Sequence, residues 1–277
     1  CQSKSIELRI KLMTAINLAT APGHQILAAA GKKILRPGGR KATEQLFTWA
    51  NFQPGETVLE LAASFGESAI SLAKRFDVRV VGIEKNPASV AKARENIKNA
   101  GLEDRVRIIE GDIFHLETIT EKFDYVLAEA ILTMQSPAGK AKVLQAIHSH
   151  LKPTGKFLSH ELLLKGNKSA VYQTLSQTIR VNSQPLTIEE WQSACGTAGL
   201  TIQQQQTGAM GLLNLGQMIR DEGIFGTFKI WWNILTNAPL RQRVWQMRRS
   251  FQEHQQDLGY IVFVATVGAH GDAPLAE

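Results

Sequence analysis

The 277-residue sequence predicts an α/β fold with a doubly wound, seven-stranded, mostly parallel sheet. Apolar runs of strand length alternate with helical patterns from residue 57 onwards, which is typical of strand–helix–strand units. Three of these runs place an acidic residue near their carboxyl ends, and ligands of doubly wound sheets bind at that edge. We therefore expect one half of the sheet to hold a ligand, with helical segments before the sheet and before its last strand.

The first half of the predicted sheet has the clearest signals. A buried strand, a tight turn and a helix follow one another, and two further strands run into acidic residues. The helix between the second and third strands has Asn86 as a good N-cap, Pro87 at its first position and Gly101 at its end. The elements are strand Thr57–Leu61, turn Ala62–Gly66, helix Glu67–Phe76, strand Val78–Ile83 followed by Glu84, and strand Val106–Ile109 followed by Glu110-Gly111-Asp112.

The second half of the predicted sheet supplies four more strands. A Leu151–Gly155 turn is expected to stop the helix between the fourth and fifth strands. Thr187 and Glu190 form a capping-box signature for a later helix. The elements are strand Phe123–Ala128, helix Ala138–Leu151, strand Lys156–Leu164, helix Lys168–Arg180, a helix that closes at Gly199, strand Leu200–Gln206 and strand Tyr260–Val267.

The chain divides into four predicted segments. Helical patterns over residues 5–20 and 22–34, then over Thr43–Ala50, precede the first strand and are expected to cap the sheet or roof its ligand crevice. A second stretch of about fifty mostly helical residues is expected to form a lid or substrate wall. The segments are residues 1–50, the helical cap; 51–207, the cofactor-binding core; 208–258, the helical lid; and 259–277, the last strand and tail.

Composition limits the class of protein. Hydrophobic residues make up 44% and charged residues 20% of the chain, as in soluble globular proteins. No apolar run reaches the roughly 18 residues that a membrane span needs and no export signal is recognisable, so a cytoplasmic enzyme is expected. Cys1 and Cys195 are the only cysteines, which favours a reducing compartment over a disulfide framework. A lipid-modified Cys1 is the less favoured alternative to a trimmed N-terminus.

The net charge of +6 is unevenly distributed along the chain. Four arginines crowd one late stretch, namely Arg241, Arg243, Arg248 and Arg249. A solvated helix face is the favoured interpretation of this stretch. A surface for nucleic acid, or for peripheral contact with an anionic membrane, is the alternative.

The turn after the first strand indicates which ligand the sheet holds. A dinucleotide fold would place glycines where Ala62, Ser64 and Glu67 stand, and the Glu67 carboxylate would repel a phosphate at the helix start. No P-loop pattern occurs in the sequence. A nucleoside without phosphate remains, whose ribose hydroxyls Glu84 can bind and whose adenine amine Asp112 can bind. This combination points to S-adenosylmethionine.

The motifs at these strand ends resemble those of the class I S-adenosylmethionine-dependent methyltransferases. The matching segments are Val58–Gly66, Val81–Pro87, Arg107–Ile113, Phe123–Glu129 and Leu151–Gly155. The resemblance covers residues 40–165 and implies a Rossmann-like sheet with an antiparallel last strand, S-adenosylmethionine as the cofactor, and methyl transfer as the activity. Within the family, the Arg36–Gly39 turn is similar to the ubiquinone- and menaquinone-biosynthesis type, which implies a small-molecule acceptor.

The first motif departs from the family at two positions where glycine is common. This chain has Ala62 and Ser64 there. We expect the alanine to be tolerated if its φ is negative, because a methyl group then fits the backbone without strain. The departure predicts slightly weaker cofactor binding and an unchanged fold.

The resemblance also implies roles for individual residues in cofactor binding. Glu60 is expected near the amino group of the cofactor, Glu84 on its ribose, and Asp112 with the backbone of Ile113 on its adenine. Lys85 is expected to flank the nucleoside. The predicted cofactor-binding residues are Glu60, Ala62, Gly66, Glu84, Lys85, Asp112 and Ile113.

Glu129 and His160 are the predicted catalytic residues, and no metal site is expected. Glu129 ends the fourth strand, where the family meets the methionine end of the cofactor and the acceptor. The alternative for Glu129 is a structural carboxylate paired to an arginine. His160 could be a general base for a hydroxyl acceptor, although a lone strand histidine is more often structural. His160 and Glu161 alternate along the strand, so only one of them can face a given side.

The aromatic residues of the late helical stretch bear on the acceptor. Phe225, Phe228, Trp231, Trp232 and Trp245 lie at helical spacing, which is more often typical of a core than of a binding surface. A lid with an aromatic, apolar lining is the alternative, and it would favour a hydrophobic or cationic acceptor.

The predicted function is methyl transfer to a small-molecule acceptor, either hydrophobic or amine-bearing, by in-line displacement at the sulfonium methyl group. Three alternatives stay open. A methyltransferase for RNA or another nucleic acid is disfavoured because Ala128–Ile131 stands where such enzymes carry an Asn/Asp-Pro-Pro-Tyr-like tetrapeptide. A non-catalytic protein that binds S-adenosylmethionine is the second alternative. An enzyme that uses the same fold and cofactor for decarboxylation or spermidine-type transfer is the third.

Overall fold

A seven-stranded sheet forms the centre of the protein in a computed structural model that describes residues 17–18, 20–180 and 183–268. Its strands are β1 (Thr57–Leu61), β2 (Arg79–Glu84), β3 (Val106–Glu110), β4 (Phe123–Glu129), β5 (Leu151–Leu164), β6 (Leu200–Ala209) and β7 (Leu258–Val267). Their order across the sheet is β3-β2-β1-β4-β5-β7-β6. β7 pairs antiparallel with β5 and β6, and the other neighbours pair in parallel. The predicted fold class is confirmed, including the antiparallel last strand.

Helices cover both faces of the sheet and the carboxyl end of its central strands. They are α1 (Gly23–Ala30), α2 (Gly39–Ala50), α3 (Glu67–Phe76), α4 (Pro87–Ala100), α5 (Pro137–His150), α6 (Lys168–Ile179), α7 (Ile188–Thr197), α8 (Leu215–Thr236) and α9 (Ala238–Glu253). Short 3₁₀ turns follow β3 at Leu116–Thr118 and β4 at Leu132–Met134. Gly223, with φ 74° and ψ 171°, has a non-helical backbone and divides α8 into two parts at a kink.

The helix ends follow local sequence signals. The Asn86 side chain accepts hydrogen bonds from two backbone N–H groups at the start of α4, and Gly101 ends that helix in the left-handed conformation. Thr187 and Glu190 form both hydrogen bonds of the predicted capping box at the start of α7. These signals use neighbours within four residues, so the sequence alone predicts them.

Two apolar layers hold the helices against the sheet. On one face α2, α3 and α4 pack against the strands, with Leu46, Leu72 and Ala93 fully buried. On the other face α5 and α7 do the same, with Ile147 and Trp191 fully buried. Burial of these side chains is the main stabilising contribution to the sheet.

A third apolar cluster lies past the carboxyl end of β5 and joins helices that are distant in sequence. It contains α1, α6, α8 and α9, which we call the roof. Leu27, Leu175, Ile230 and Met247, one from each helix, are buried in it. Most of the helix predicted over residues 5–20 lies outside the described residues, as do Cys1 and the tail from residue 269.

Two predictions about the roof are wrong. Phe225, Phe228 and Trp232 point outward from α8 and are exposed rather than packed in a core. Their helix already buries its opposite face, through Ile230 and Ile234. Arg243, predicted on a solvated face, is buried, and its Nη2 donates to the carbonyl oxygens of Ala21 and Thr178, 3.4 and 3.2 Å away.

The turn predicted at Leu151–Gly155 is also wrong. These residues form the first part of β5, where Leu151 pairs with Phe123 of β4. The pairing is irregular between Phe123 and Tyr125. A bulge of this kind admits a proline such as Pro153, which has no N–H to donate to the sheet.

Candidate active site

The turn between β1 and α3 has the geometry of a glycine-rich turn although it contains one glycine. Ala62, Ser64 and Gly66 all have positive φ, of 56°, 50° and 75°. The condition stated for an unstrained alanine, a negative φ at Ala62, is therefore not met. A non-glycine residue in this region costs about 1–2 kcal/mol. The turn is held by the Ala63 N–H, which donates to the Ile83 carbonyl at 2.9 Å.

Glu84, at the end of β2, is fixed beside this turn. Its Oε2 accepts from the Ser64 N–H at 2.9 Å, and its Oε1 accepts from the Asn86 N–H at 2.8 Å. Each carboxylate oxygen can accept a second hydrogen bond. Glu84 can therefore still bind a pair of hydroxyl groups.

Asp112 and Lys85 form the outer wall at the ends of β3 and β2. Lys85 Nζ lies 2.7 Å from Asp112 Oδ2, and the Phe114 N–H donates to Asp112 Oδ1 at 3.1 Å. Partial burial raises the pKa of Asp112, but the Lys85 ammonium and the Phe114 N–H outweigh it and hold the pKa below its usual value. Ile113 is buried beside it. Asp112 is thus an ionised acceptor at neutral pH.

Glu60 is a buried carboxyl group in β1. Its Oε2 has no hydrogen-bond partner among the described residues. Burial raises the pKa of Glu60 to about 8, with the nearby Glu129 adding to this and Arg36 opposing it. An unpaired buried carboxyl oxygen needs a partner to offset its desolvation. Glu60 therefore fits a ligand that brings a hydrogen-bond donor or a positive charge.

Glu129, at the end of β4, lies in a network that joins the sheet to the N-terminal segment. Arg36 Nη2 lies 2.9 Å from its Oε2, and the Thr43 hydroxyl donates to its Oε1 at 2.6 Å. Arg36 also donates to the Ser68 hydroxyl. Burial raises the pKa of Glu129, but Arg36, His160 and Thr43 together lower it below its usual value. Glu129 is therefore an ionised carboxylate inside the protein.

His160 faces the same network from β5 and is fully buried. Its Nε2 accepts from the Gly38 N–H at 3.0 Å, so its proton is assigned to Nδ1. Nδ1 faces Glu129 Oε1 at 3.5 Å and the Thr43 hydroxyl at 3.4 Å. Burial lowers the pKa of His160 against the opposing effect of Glu129. His160 is thus a neutral imidazole whose two nitrogens both face protein groups.

Glu161 faces the other side of β5, as the alternation along the strand predicts. It accepts hydrogen bonds from three successive backbone N–H groups, of Ile131, Leu132 and Thr133, at 2.9–3.1 Å. The Thr133 hydroxyl donates to it at 2.6 Å. Glu161 therefore fixes the 3₁₀ turn that follows β4.

A cavity of about 70 Å³ opens between this turn and the roof. Ala130 and Met134 line it from the end of β4, and Leu162 lines it from β5. The roof and the loops beside it close it with mostly apolar side chains, namely Leu27, Leu35, Ile179, Met210, Leu212, Met247 and Phe251. A small apolar molecule fits such a lining.

His24, in the first turn of α1, is the basic side chain that lines this cavity. Its Nδ1 is buried and has no hydrogen-bond partner among the described residues. Burial lowers the pKa of His24, so its imidazole is neutral at pH 7. Gly23 beside it allows close packing, because a Cβ there would lie 2.3 Å from a methyl carbon of Ile179. The site thus has a neutral imidazole with an unpaired ring nitrogen.

Two acidic residues of α8 connect the roof to the start of α2 and to the loop before it. Glu222 Oε1 accepts from the N–H groups of Lys33 and Ile34, both at 2.9 Å. Asp221 Oδ1 accepts from the Arg40 N–H at 2.8 Å. The buried ammonium of Lys32 lies 3.6 Å from Asp221 and 3.7 Å from Glu222. The loop that carries Arg36 is therefore positioned by a helix nearly two hundred residues later.

The predicted site residues fall into two groups in the structure. Glu84, Lys85 and Asp112 surround an open edge, whereas Glu129 and His160 lie together in the interior.

Sequence reasoning missed Arg36, Thr43 and His24 as site residues. The sequence did contain a signal for Arg36. Glu60 and Glu129 are acids at the ends of buried strands, and two such carboxyl groups need a cation nearby. No local pattern indicates His24. No group of three or more His, Cys, Asp or Glu side chains in the described parts of the chain could hold a metal ion.

Comparison with known proteins gives matches over most of the chain. A family model described as a methyltransferase domain matches residues 52–217. An uncharacterized protein of Haemophilus influenzae is 35% identical over 240 residues, which cover 86% of this chain and 95% of that protein. Methyltransferase GfsG of Streptomyces halstedii is 27% identical over 132 residues, or 48% of this chain and 47% of that protein.

A solved structure gives the same result for the fold. The S-adenosylmethionine-dependent methyltransferase of Geobacter sulfurreducens, in complex with S-adenosylhomocysteine, superposes with a TM-score of 0.63 at 17% identity. The superposition covers 85% of this chain and 94% of that one. At this identity the likeness shows a shared fold.

Proposed function

Because the chain belongs to the methyltransferase-domain family, we propose that it transfers the methyl group of S-adenosylmethionine to a small apolar acceptor that carries a hydroxyl group. The resemblance of its strand-end motifs to class I S-adenosylmethionine-dependent methyltransferases agrees with this family membership. The observation that carries the choice of acceptor is the apolar cavity with the unpaired His24 nitrogen at the end of β4.

The residues at the ends of β1, β2 and β3 fit S-adenosylmethionine. Glu84 would hold the ribose hydroxyls, and Asp112 with Ile113 would face the adenine. The unpaired oxygen of Glu60 suits the ammonium of the methionine part, and the turn from Ala62 to Gly66 would lie against the cofactor. Lys85, paired to Asp112, would flank the base. When bound, S-adenosylmethionine supplies an activated methyl group that an acceptor atom takes by in-line displacement.

The chain contributes orientation and exclusion of water to this transfer. The cap and the lid predicted from sequence would act together over the site, because Asp221 and Glu222 of the lid bind backbone N–H groups of the cap. The apolar lining would hold the acceptor at Ala130, one residue after the β4 carboxylate Glu129. The proposed cytoplasmic location stays a prediction.

His24 is the residue we assign to proton transfer. A hydroxyl acceptor keeps its proton at neutral pH, so it must lose that proton as its oxygen bonds to the methyl carbon. Nδ1 of His24 can take it, because this nitrogen is unpaired and its ring is neutral.

Glu129 and His160 are assigned a positioning role. Their polar atoms face Arg36, Thr43 and Gly38, and His160 does not line the cavity. They would fix the end of β4 and the loop above it, so that the acceptor and the cofactor meet in one orientation.

The proposal is tested by S-adenosylhomocysteine formation with a panel of small phenols, and with amines of matched size. We expect turnover with phenols. His24→Gln should lower kcat by roughly 100-fold or more without changing the Kd for S-adenosylhomocysteine, since general-base catalysis contributes about that factor. His115→Gln, at an exposed histidine outside the cavity, is the matched control and should leave kcat unchanged.

Turnover with amines alone would contradict a hydroxyl acceptor, although it would still support methyltransferase activity. Turnover of RNA in preference to both would support the nucleic-acid alternative. Unchanged kcat in His24→Gln at all pH values would remove its role in proton transfer.

A further inference from the structure

The outer face of α8 exposes a row of large apolar side chains. Phe225 is 91% exposed, Ile224 73% and Phe228 68%. Trp232 and Leu235 continue the row, each more than half exposed. We call these five residues the apolar stripe. Their spacing places them on one side of the helix after the bend at Gly223.

The apolar stripe is not needed for packing within the described part of the chain. The opposite side of the same helix is buried, with Thr227, Ile230 and Ile234 facing inward. A surface helix normally has polar residues on its outer side. A contiguous exposed apolar patch of this kind marks a surface that contacts a protein or a membrane.

Basic residues border the apolar stripe. Lys229 is exposed on the same helix, and Arg241 is exposed at its far end, where Nη1 donates to the Leu235 carbonyl at 2.8 Å. On α9, the Arg248 guanidinium lies 5.5 Å from the ring centre of the half-exposed Trp245. Arg249 is exposed next to it. The border of the stripe is therefore strongly positive.

The acidic residues of the two helices do not cancel this charge. α8 and α9 contain three acids, Asp221, Glu222 and Glu253. The side chains of Asp221 and Glu222 are buried and face Lys32. Glu253 is exposed and pairs with Arg249, 2.9 Å away. A partner surface that approaches the stripe therefore meets the arginines of α9 and Lys229 of α8. Glu253, at the end of α9, is the one exposed acid of the two helices.

We propose that the apolar stripe and its basic border dock on an anionic lipid surface. Aromatic and aliphatic side chains enter the boundary between headgroups and acyl chains, and the cations meet lipid phosphates. A second copy of the chain is a poorer occupant, because a twofold interface would bring the two basic borders together. The contact is peripheral, since none of the described helices is long and apolar enough to cross a membrane.

The position of the cavity agrees with this orientation. Met247 and Phe251 of α9 line the cavity from within the same helical pair that carries the apolar stripe outside. The docking proposal does not depend on the proposed methyl acceptor. If both hold, an apolar acceptor reaches the cavity from the lipid side.

The test is flotation of the whole chain with phosphatidylcholine vesicles that contain or lack phosphatidylglycerol. We expect binding to the anionic vesicles, and a decrease at high salt because the cationic contribution is screened. Phe225→Ser with Trp232→Ser should abolish flotation. Phe65→Ser, at a partly exposed phenylalanine of the β1 turn, is the matched control and should float like the unaltered protein.

A second pair of variants tests the charges. Lys229→Gln with Arg241→Gln should weaken vesicle binding by roughly 25-fold, since each basic residue near an anionic surface contributes about a factor of five. Lys98→Gln, an exposed lysine at the end of α4, should change binding less than about twofold. Thermal unfolding of every variant checks that it is folded.

Three results would overturn the proposal. One is flotation of the Phe225→Ser/Trp232→Ser variant at the level of the unaltered protein. Another is a dimer in sedimentation that this variant dissociates, with no vesicle binding, which would assign the stripe to a second copy. The third is a monomer that never floats with vesicles of either composition.

Discussion

The two ends of the candidate site are built in different ways. At the edge formed by β1, β2 and β3, the polar groups belong to short turns, and Glu84 is held by N–H groups of Ser64 and Asn86. At the ends of β4 and β5, Arg36, Glu129 and His160 meet across more than ninety residues of chain. The first region is a set of local turns, whereas the second is a junction between distant segments.

Because the two regions are built differently, we expect mutations in them to affect different properties. In the local region, a side chain can change without disturbing the fold, so an altered carboxylate should affect ligand binding. In the junction, a side chain connects the sheet to the roof, so its loss should affect stability and acceptor orientation together.

The largest loss of stability is expected for Arg36→Met, at the junction between the sheet and the N-terminal loop. This substitution leaves the buried Glu129 carboxylate without its cation, and a broken buried pair costs about 3 kcal/mol or more in the free energy of unfolding. The loss should diminish at acidic pH, where Glu129 becomes protonated. Urea unfolding at two pH values measures both effects.

The control for this prediction is an exposed ion pair. Glu95→Gln breaks the Lys92–Glu95 pair on α4 and should change stability by less than about 0.5 kcal/mol. A similarly small loss for Arg36→Met, independent of pH, would show that the junction is not held by this pair.

Glu60 gives a pH-dependent prediction of intermediate size. The pKa of Glu60 in the folded protein, about 8, lies above the ordinary glutamate value of 4.5, so the folded protein keeps a proton that the unfolded chain releases. The stabilising contribution is present in full below pH 4.5 and is lost as the pH rises through 8. Glu60→Gln should therefore flatten the decline of stability with pH in this window.

The same group predicts proton release on ligand binding. The ammonium of S-adenosylhomocysteine should ionise Glu60, so binding near pH 7 releases up to about one proton. Calorimetry in buffers of different ionisation enthalpy measures this number, which should approach zero in Glu60→Gln. Equal proton release in both proteins would place the ammonium elsewhere.

The smallest change in the free energy of unfolding is expected for substitutions in the turn after β1. Ala62→Gly relieves a positive φ, but glycine also has more freedom in the unfolded chain, so we expect a gain of up to about 1 kcal/mol. Ala63→Gly, at a buried neighbour outside the left-handed region, should instead lose about 1 kcal/mol. Thermal unfolding compares the two, and a loss for both would argue against strain at Ala62.

The same contrast explains what the sequence could predict. The order of the strands, the helix caps at Asn86 and Thr187, and the carboxylates at the strand ends follow from short-range patterns, and the structure has them as predicted. The start of β5 is the exception, because Leu151–Gly155 continue the strand where a turn was predicted. The cavity does not follow, because Leu27, Met210 and Phe251 meet in it from separate segments. His24 meets Met247 and Phe251 of α9 only in the folded chain, and Arg36 meets Glu129 only once the loop before α2 lies against the sheet.

The aromatic residues of α8 show the limit of helical periodicity. The pattern correctly predicts a helix, and it cannot distinguish a face that packs inward from one that stays outside. Ile230 and Phe228 are both apolar and two residues apart, yet one is buried and the other exposed. Which face of α8 packs inward is decided by its contacts with α9, which follows it directly, and with α1, which lies far away in the sequence.

Calorimetric titration of S-adenosylhomocysteine into three proteins tests the central claim most directly. The unaltered protein should bind it, and Glu84→Gln should weaken binding by roughly 10- to 100-fold, the value of a hydrogen bond to a charged group. Met210→Trp, which fills the cavity, should keep the unaltered Kd. No heat with the unaltered protein, or equal weakening by both substitutions, would contradict a nucleoside site at the ends of β1–β3 that is separate from the acceptor cavity.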